Sequence, residues 1–143
     1  MSYHYAVLGA GRQGTAAAYD LAKHGDAARV VLADVNLEQA QAAAQRVNAL
    51  LDTDIVEATP VNVTNYAAVV RLLRGIDALL SAVPYYYNLD ITRAAIEAGV
   101  SICDLGGNTD IVRRQQAFDA EATAKGISII PAVSYTHLTL PTN

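Results

Sequence analysis

Three glycines and one acid, at set intervals, carry the chemistry of this 143-residue chain. Residues 5–14 read YAVLGAGRQG, an apolar run followed by Gly9, Gly11 and Gly14 at GxGxxG spacing, and Asp34 stands twenty residues beyond Gly14. In a strand–turn–helix setting Gly9 allows the tight turn off the strand. Gly11 has no side chain to hold the backbone away from a pyrophosphate, and Gly14 lets the helix lie against the sheet. The N–H groups that open this helix, around Arg12 and Gln13, favour an anion together with the helix dipole. Asp34, at the end of a second strand, is placed to accept hydrogen bonds from both adenosine ribose hydroxyls. Val35 and Asn36 offer no cation for a 2′-phosphate, so NAD is expected rather than NADP. Arg12 either contacts a phosphate or faces solvent.

Those residues need a scaffold, and the remainder of the chain supplies one. Strands are expected at 5–8, 29–33, within 55–63, at 78–83, 101–105 and 127–130. Helices are expected at 12–24, from Asn36 to about 51, after a cap at Thr64, at 88–98 and at 109–124. The second helix places Leu37, Ala40, Ala44, Val47 and Leu51 on one face, and the third carries Tyr66, Val69, Val70 and Leu73. Gly25, Gly75, Gly99 and Gly126 each fall where a helix should stop in a left-handed cap. Alternating strands and helices imply an α/β, doubly wound, parallel six-stranded sheet of the Rossmann type, with strand order 3-2-1-4-5-6.

Composition bounds the function. The net charge of −4 gives no basic face for nucleic acid and no polybasic patch for a membrane, and no apolar run approaches a membrane span. One cysteine fits a reducing cytoplasm, and the chain enters its first strand without room for a signal peptide. With three histidines, His4, His24 and His137, no metal cluster is visible.

Later segments narrow the identity. Residues 81–88 (SAVPYYYN), 92–100 (TRAAIEAGV), 104–108 (DLGGN) and 126–131 (GISIIP) resemble the saccharopine dehydrogenase family, and most closely its bacterial lysine 6-dehydrogenase-like branch. The resemblance covers residues 4–132. It implies the NAD(P) domain of an enzyme that oxidises an amine-bearing carbon of an amino acid and passes hydride to nicotinamide. It also implies that a substrate and dimerisation domain, missing here, follows a Gly-Leu-x-Pro-Gly type segment, so that a homodimer is expected only of the full-length protein.

Residues 133–142 (VSYTHLTLPT) break the pattern and are similar to a translated sequencing-library adapter. The expectation is therefore a dinucleotide-binding domain at 1–132 and an artefact at 133–143, which removes His137 from consideration and lets the natural sequence continue past Ala132.

Further candidates sit at the strand ends where such sheets bind ligands. Ala82, Val83 and Pro84 either line the nicotinamide ribose or pack in the core. Tyr85, Tyr86 and Tyr87 either shape a substrate pocket or pack against a neighbouring domain. Asp104 either orients a substrate amine or bonds N–H groups of its own loop, where Gly106, Gly107 and Asn108 permit close approach of nicotinamide or substrate. Asn62 either meets adenine or holds a turn. Cys103, inside an apolar strand with no histidine in view, reads as a small hydrophobe. One alternative comes from another functional class: a stand-alone regulatory NAD-binding module of the potassium-transport type, whose glycine loop also reads Gly-x-Gly-Arg-x-Gly. The segments at 81–88 and 104–108 speak against it.

Overall fold

The computed structural model describes residues 2–132, so the adapter-like segment and His137 lie outside the described residues. Six parallel strands form one sheet: β1 (Tyr3–Leu8), β2 (Ala27–Asp34), β3 (Val56–Pro60), β4 (Ala78–Ser81), β5 (Ser101–Asp104) and β6 (Ile129–Ile130). Their spatial order is β3-β2-β1-β4-β5-β6, as expected from the sequence. The helices between them are α1 (Arg12–His24), α2 (Leu37–Leu51), α3 (Tyr66–Leu73), α4 (Asn88–Ala98), α5 (Thr109–Gln116) and α6 (Asp119–Lys125), with a 3₁₀ turn at Tyr85–Tyr87.

The two-residue period of a strand divides the core between the faces. Val7, Val30 and Leu32 point to one side and pack with Ala18 of α1 and Ala40, Ala44 and Val47 of α2. Ala6, Leu8, Val31 and Ala33 point to the other and pack with Val69, Val70 and Leu73 of α3 and Ile91, Ala94 and Ala95 of α4. Burial on both faces explains why the central strands are continuous apolar runs.

Register brings the functional strand ends to one level. Leu8 pairs with Ala33 on one side and Ser81 on the other, and Ser81 pairs with Asp104. The order reverses at β1, between β2 and β4, which opens a crevice beyond the carboxyl ends of these strands.

Several details differ from the sequence expectation. The cap of α3 is Asn65, whose side chain accepts from Ala68 N at 3.1 Å, because Thr64 is engaged with Asn62. The helix expected at 109–124 is two helices, and a tightened bond from Phe118 N–H to Gln115 O (3.1 Å) ends the first. Phe118 then sets its ring beneath the Arg93 guanidinium, 5.7 Å from the ring centre. β4 stops at Ser81 and not at 83, since Ala82 N–H makes the last bond, to Leu8 O, before the chain turns at Pro84. Leu37 and Tyr66, placed on buried faces by periodicity, lie at exposed helix starts, while Ala43 is buried.

Gly25 is not left-handed (φ −89°); the positive φ falls on Asp26 instead. A side chain at Gly25 would meet Leu21 O and the Tyr5 ring, so close packing accounts for the glycine.

Candidate functional site

The glycine loop connects β1 to α1. Gly9 has φ +103°, and a Cβ there would stand 2.8 Å from Ala82 O, so the turn needs both the conformation and the small size of glycine. A Cβ on Gly14 would fall 1.7 Å from Gly9 O, which leaves no room for any other residue where α1 crosses its own loop. Gly11 differs: it caps α1 with an ordinary φ of −77°, and a Cβ would meet nothing within 4 Å. Open space above Gly11 is what an approaching phosphate requires. Arg12 and Gln13, whose N–H groups open the helix without intrahelical partners, follow directly, and both side chains are exposed.

Asp34 fastens this loop to the end of β2. One carboxylate oxygen accepts from Ala10 N at 2.8 Å and the other from Asn36 N at 2.9 Å. A carboxylate offers about four lone-pair positions, so each oxygen keeps one for a further donor. Gln39 reinforces the same corner by donating its amide to Ala10 O at 3.0 Å.

A cavity of about 510 Å³ opens over the crevice and gathers Gly9, Asp34, Asn62, Val83, Pro84, Tyr86 and Tyr87 on its walls. Asn62 reaches this wall while its side-chain oxygen accepts from Thr64 N (3.0 Å) and Thr64 Oγ1 (2.6 Å), so the turn role occupies that oxygen. The three tyrosines separate. Tyr87 packs on the core, Tyr86 is 60% exposed at the cavity mouth, and Tyr85 lies over Gly107.

The β5 loop is built around Asp104. Its Oδ1 accepts from Gly106 N (2.7 Å) and Ala132 N (3.2 Å), and its Oδ2 accepts from the Gln115 amide (2.8 Å). Gly106 has φ +67° and sits so close to Ala132 O that a Cβ would overlap it. Asn108 caps α5, its side chain accepting from Ile111 N at 3.1 Å. Cys103 is partly buried, and burial together with the neighbouring Asp104 charge pushes its thiol up from the ordinary value. A raised thiol is a poor nucleophile at neutral pH.

Among the described residues no group of His, Cys, Asp and Glu is placed to hold a metal ion, and no helix is long and apolar enough to cross a membrane.

One feature escapes sequence reasoning, and a second is written in the sequence but lies away from the strand ends. Gln115 is fully buried at the centre of a polar chain, though its neighbours in sequence look like a solvated helix face. Tyr19 and Lys23 stand at the i, i+4 spacing of short-chain dehydrogenases, with Lys23 Nζ 3.4 Å from Tyr19 Oη. Tyr19 lies eight residues beyond the cap of α1, about 12 Å along the helix from the glycine loop. It lines a groove between α1 and α2 that begins at Ala10, Gly11 and Arg12 of the glycine loop.

Comparison with known proteins agrees with this geometry. The solved structure of apo saccharopine dehydrogenase (L-Glu forming) from Saccharomyces cerevisiae superposes with a TM-score of 0.75 at 22% identity, over 92% of this chain and 27% of that one. Quinate dehydrogenase from Corynebacterium glutamicum in complex with NAD gives 0.65 at 18% identity, over 91% and 44%. An NADPH-dependent quinone oxidoreductase from Escherichia coli complexed with NADPH gives 0.65 at 21%, over 89% and 47%. At these identities the likeness is one of fold, and the chain spans between about a quarter and a half of each structure's length. The family model described as the saccharopine dehydrogenase NADP binding domain matches residues 5–130, nearly the whole described chain. By that match the chain, a six-stranded sheet of order β3-β2-β1-β4-β5-β6, belongs to the NAD(P)-binding domains of the saccharopine dehydrogenase family.

Proposed function

We propose that this chain is the cofactor domain of a cytoplasmic NAD-dependent oxidoreductase that acts on an amino-acid amine, of the lysine or saccharopine dehydrogenase kind. The observation that carries the reading is the single cavity wall shared by Gly9, Asp34, Asn62, Val83 and Pro84, with open space over Gly11. A dinucleotide fits this arrangement. The backbone at Gly11 and the first turn of α1 hold the pyrophosphate, and Asp34 takes the adenosine ribose. Ala82, Val83 and Pro84 border the nicotinamide ribose. Asp34 also disfavours a 2′-phosphate by charge, and Val35 and Asn36 beside it bring no compensating cation, which is the ground for NAD over NADP.

When bound, nicotinamide supplies the hydride acceptor. The chain's own residues bind and orient. Tyr86, Tyr87 and the loop Gly106, Gly107 and Asn108 flank the side on which an amine substrate would enter, and Asp104 holds that loop in shape. The proton-transfer group and the rest of the substrate pocket are assigned to a second domain of a longer, homodimeric protein. The regulatory-module alternative shares the glycine loop, whereas the match over residues 5–130 favours the dehydrogenase reading.

The test has two parts. Titration of the chain with NAD and NADP should give saturable binding with NAD the tighter. Lysine and saccharopine should each be offered to the full-length gene product with NAD. Amine-dependent NADH formation by either supports the substrate class, and its absence with both refutes it.

A further inference from the structure

A chain of buried side chains ties the two loops of the nicotinamide half together. Ser81 Oγ donates to Asn88 Oδ1 at 2.8 Å, and this bond closes the base of the six-residue loop from Ala82 to Tyr87. Thr92 Oγ1 donates to the Asn88 carbonyl at 2.7 Å. Gln115 then uses one amide group twice, donating to Thr92 Oγ1 at 3.0 Å and to Asp104 Oδ2 at 2.8 Å. Asp104 completes the chain by holding Gly106 N and Ala132 N. All five side-chain bearers are at most 5% exposed.

The directions of the bonds around Gln115 are set by donor inventory. Thr92 has one hydroxyl hydrogen, given to Asn88, so it must accept from Gln115. An ionised Asp104 only accepts, so only a group with two N–H donors can bridge the two. Glutamine meets that need without adding charge. Each group is satisfied, and among the described residues no buried side-chain polar atom lacks a partner. Such a network fixes one geometry, since breaking any link strands a buried donor or acceptor.

In a doubly wound sheet the β1–β3 half takes the adenosine end and the β4–β6 half takes the nicotinamide end. The chain lies wholly in the second half, at the strand ends Ser81 and Asp104 that pair directly. We propose that Gln115, with Thr92, is a positioning residue that sets the two nicotinamide-side loops relative to one another and so governs nicotinamide placement without affecting adenosine binding. This rests on the cofactor reading above.

The test is saturation-transfer NMR of NAD on the full chain, comparing the nicotinamide and adenine protons of one ligand. In Gln115→Leu the nicotinamide signal should fall roughly threefold or more relative to adenine, the scale of one lost buried hydrogen bond. ADP-ribose affinity should stay unchanged. Thr92→Val should reproduce the loss and Thr92→Ser, which keeps the hydroxyl, should restore the wild-type ratio. Should Gln115→Leu fail to fold, the Thr92 pair decides alone. An unchanged ratio in a folded variant, or equal loss at both ends, would overturn the proposal. Transfer at neither end of NAD in the wild type would instead overturn the cofactor reading, and the proposal with it.

Discussion

Asp34 Oδ2 accepts a hydrogen bond from Ala10 N at 2.8 Å, so the acid that ends β2 is fastened to the glycine loop that leaves β1. The same carboxylate holds Asn36 N at the start of α2. One side chain therefore shapes the site and presents charge to it. These two roles separate experimentally, because NAD and NADP differ only at the 2′ position.

Asp34→Ala should lower NAD affinity by about tenfold or more, through loss of ribose acceptors and of the Ala10 tie. NADP should lose less, because the substitution also removes a negative charge from its 2′-phosphate. The NAD-to-NADP affinity ratio, measured by calorimetric titration, should move toward one. A ratio that stays fixed while both affinities drop would leave Asp34 with a structural role only.

Gly14 and Gly11 should respond in opposite ways to the same small change. Gly14→Ala forces a methyl onto Gly9 O and should destabilise by about 3 kcal/mol or more, beyond ordinary overpacking because backbone is struck. Gly11→Ala meets nothing in the protein and should change stability by no more than about 0.5 kcal/mol. It should nevertheless weaken dinucleotide binding. Urea unfolding beside an NAD titration reads both effects, and equal stability losses would mean the loop geometry is wrong.

The Tyr5 hydroxyl donates to Gly25 O at 2.7 Å, linking β1 to the end of α1. Tyr5→Phe should cost about 1 kcal/mol at neutral pH. Burial, then the neighbouring Tyr3, Asp26 and Asp77, raise the phenol above its usual value in the folded state. A raised folded value makes this contribution fully present below the ordinary phenol range and lost as pH rises through the raised one. The stability gap between wild type and variant should thus hold at neutral pH and shrink in strong alkali. A gap that widens with pH would reverse the sign.

Cys103 should be slow to alkylate in the native protein. Burial and the Asp104 charge raise its thiol, so reactivity should climb only above the ordinary thiol range. Iodoacetamide labelling followed by mass spectrometry across pH, with urea-unfolded chain as reference, checks this. Equal native and unfolded rates at neutral pH would contradict it.

The places of the glycine loop and Asp34 in the fold, and the strand order, were legible because each rests on a local signal whose meaning survives folding: a spacing, a terminal acid, a run of apolar residues. Gln115 was not. Its burial depends on Asp104 and Thr92, which lie distant in sequence, and its neighbours Arg113 and Arg114 make α5 read as a polar surface helix. The clue in the sequence was Asp104 itself, an acid at the end of an apolar strand that needed neutral donors in the absence of a nearby cation. The Thr64-for-Asn65 slip at the start of α3 has a simpler origin, since both residue types cap helices well and only the Asn62 contact decides between them.

The most direct test of the central claim is calorimetric titration of the wild-type chain with NAD at moderate salt. Saturable binding is expected at one site per chain, tighter than for NADP and weakened by Gly11→Ala without loss of fold. No saturable binding of either dinucleotide to a folded chain would contradict it.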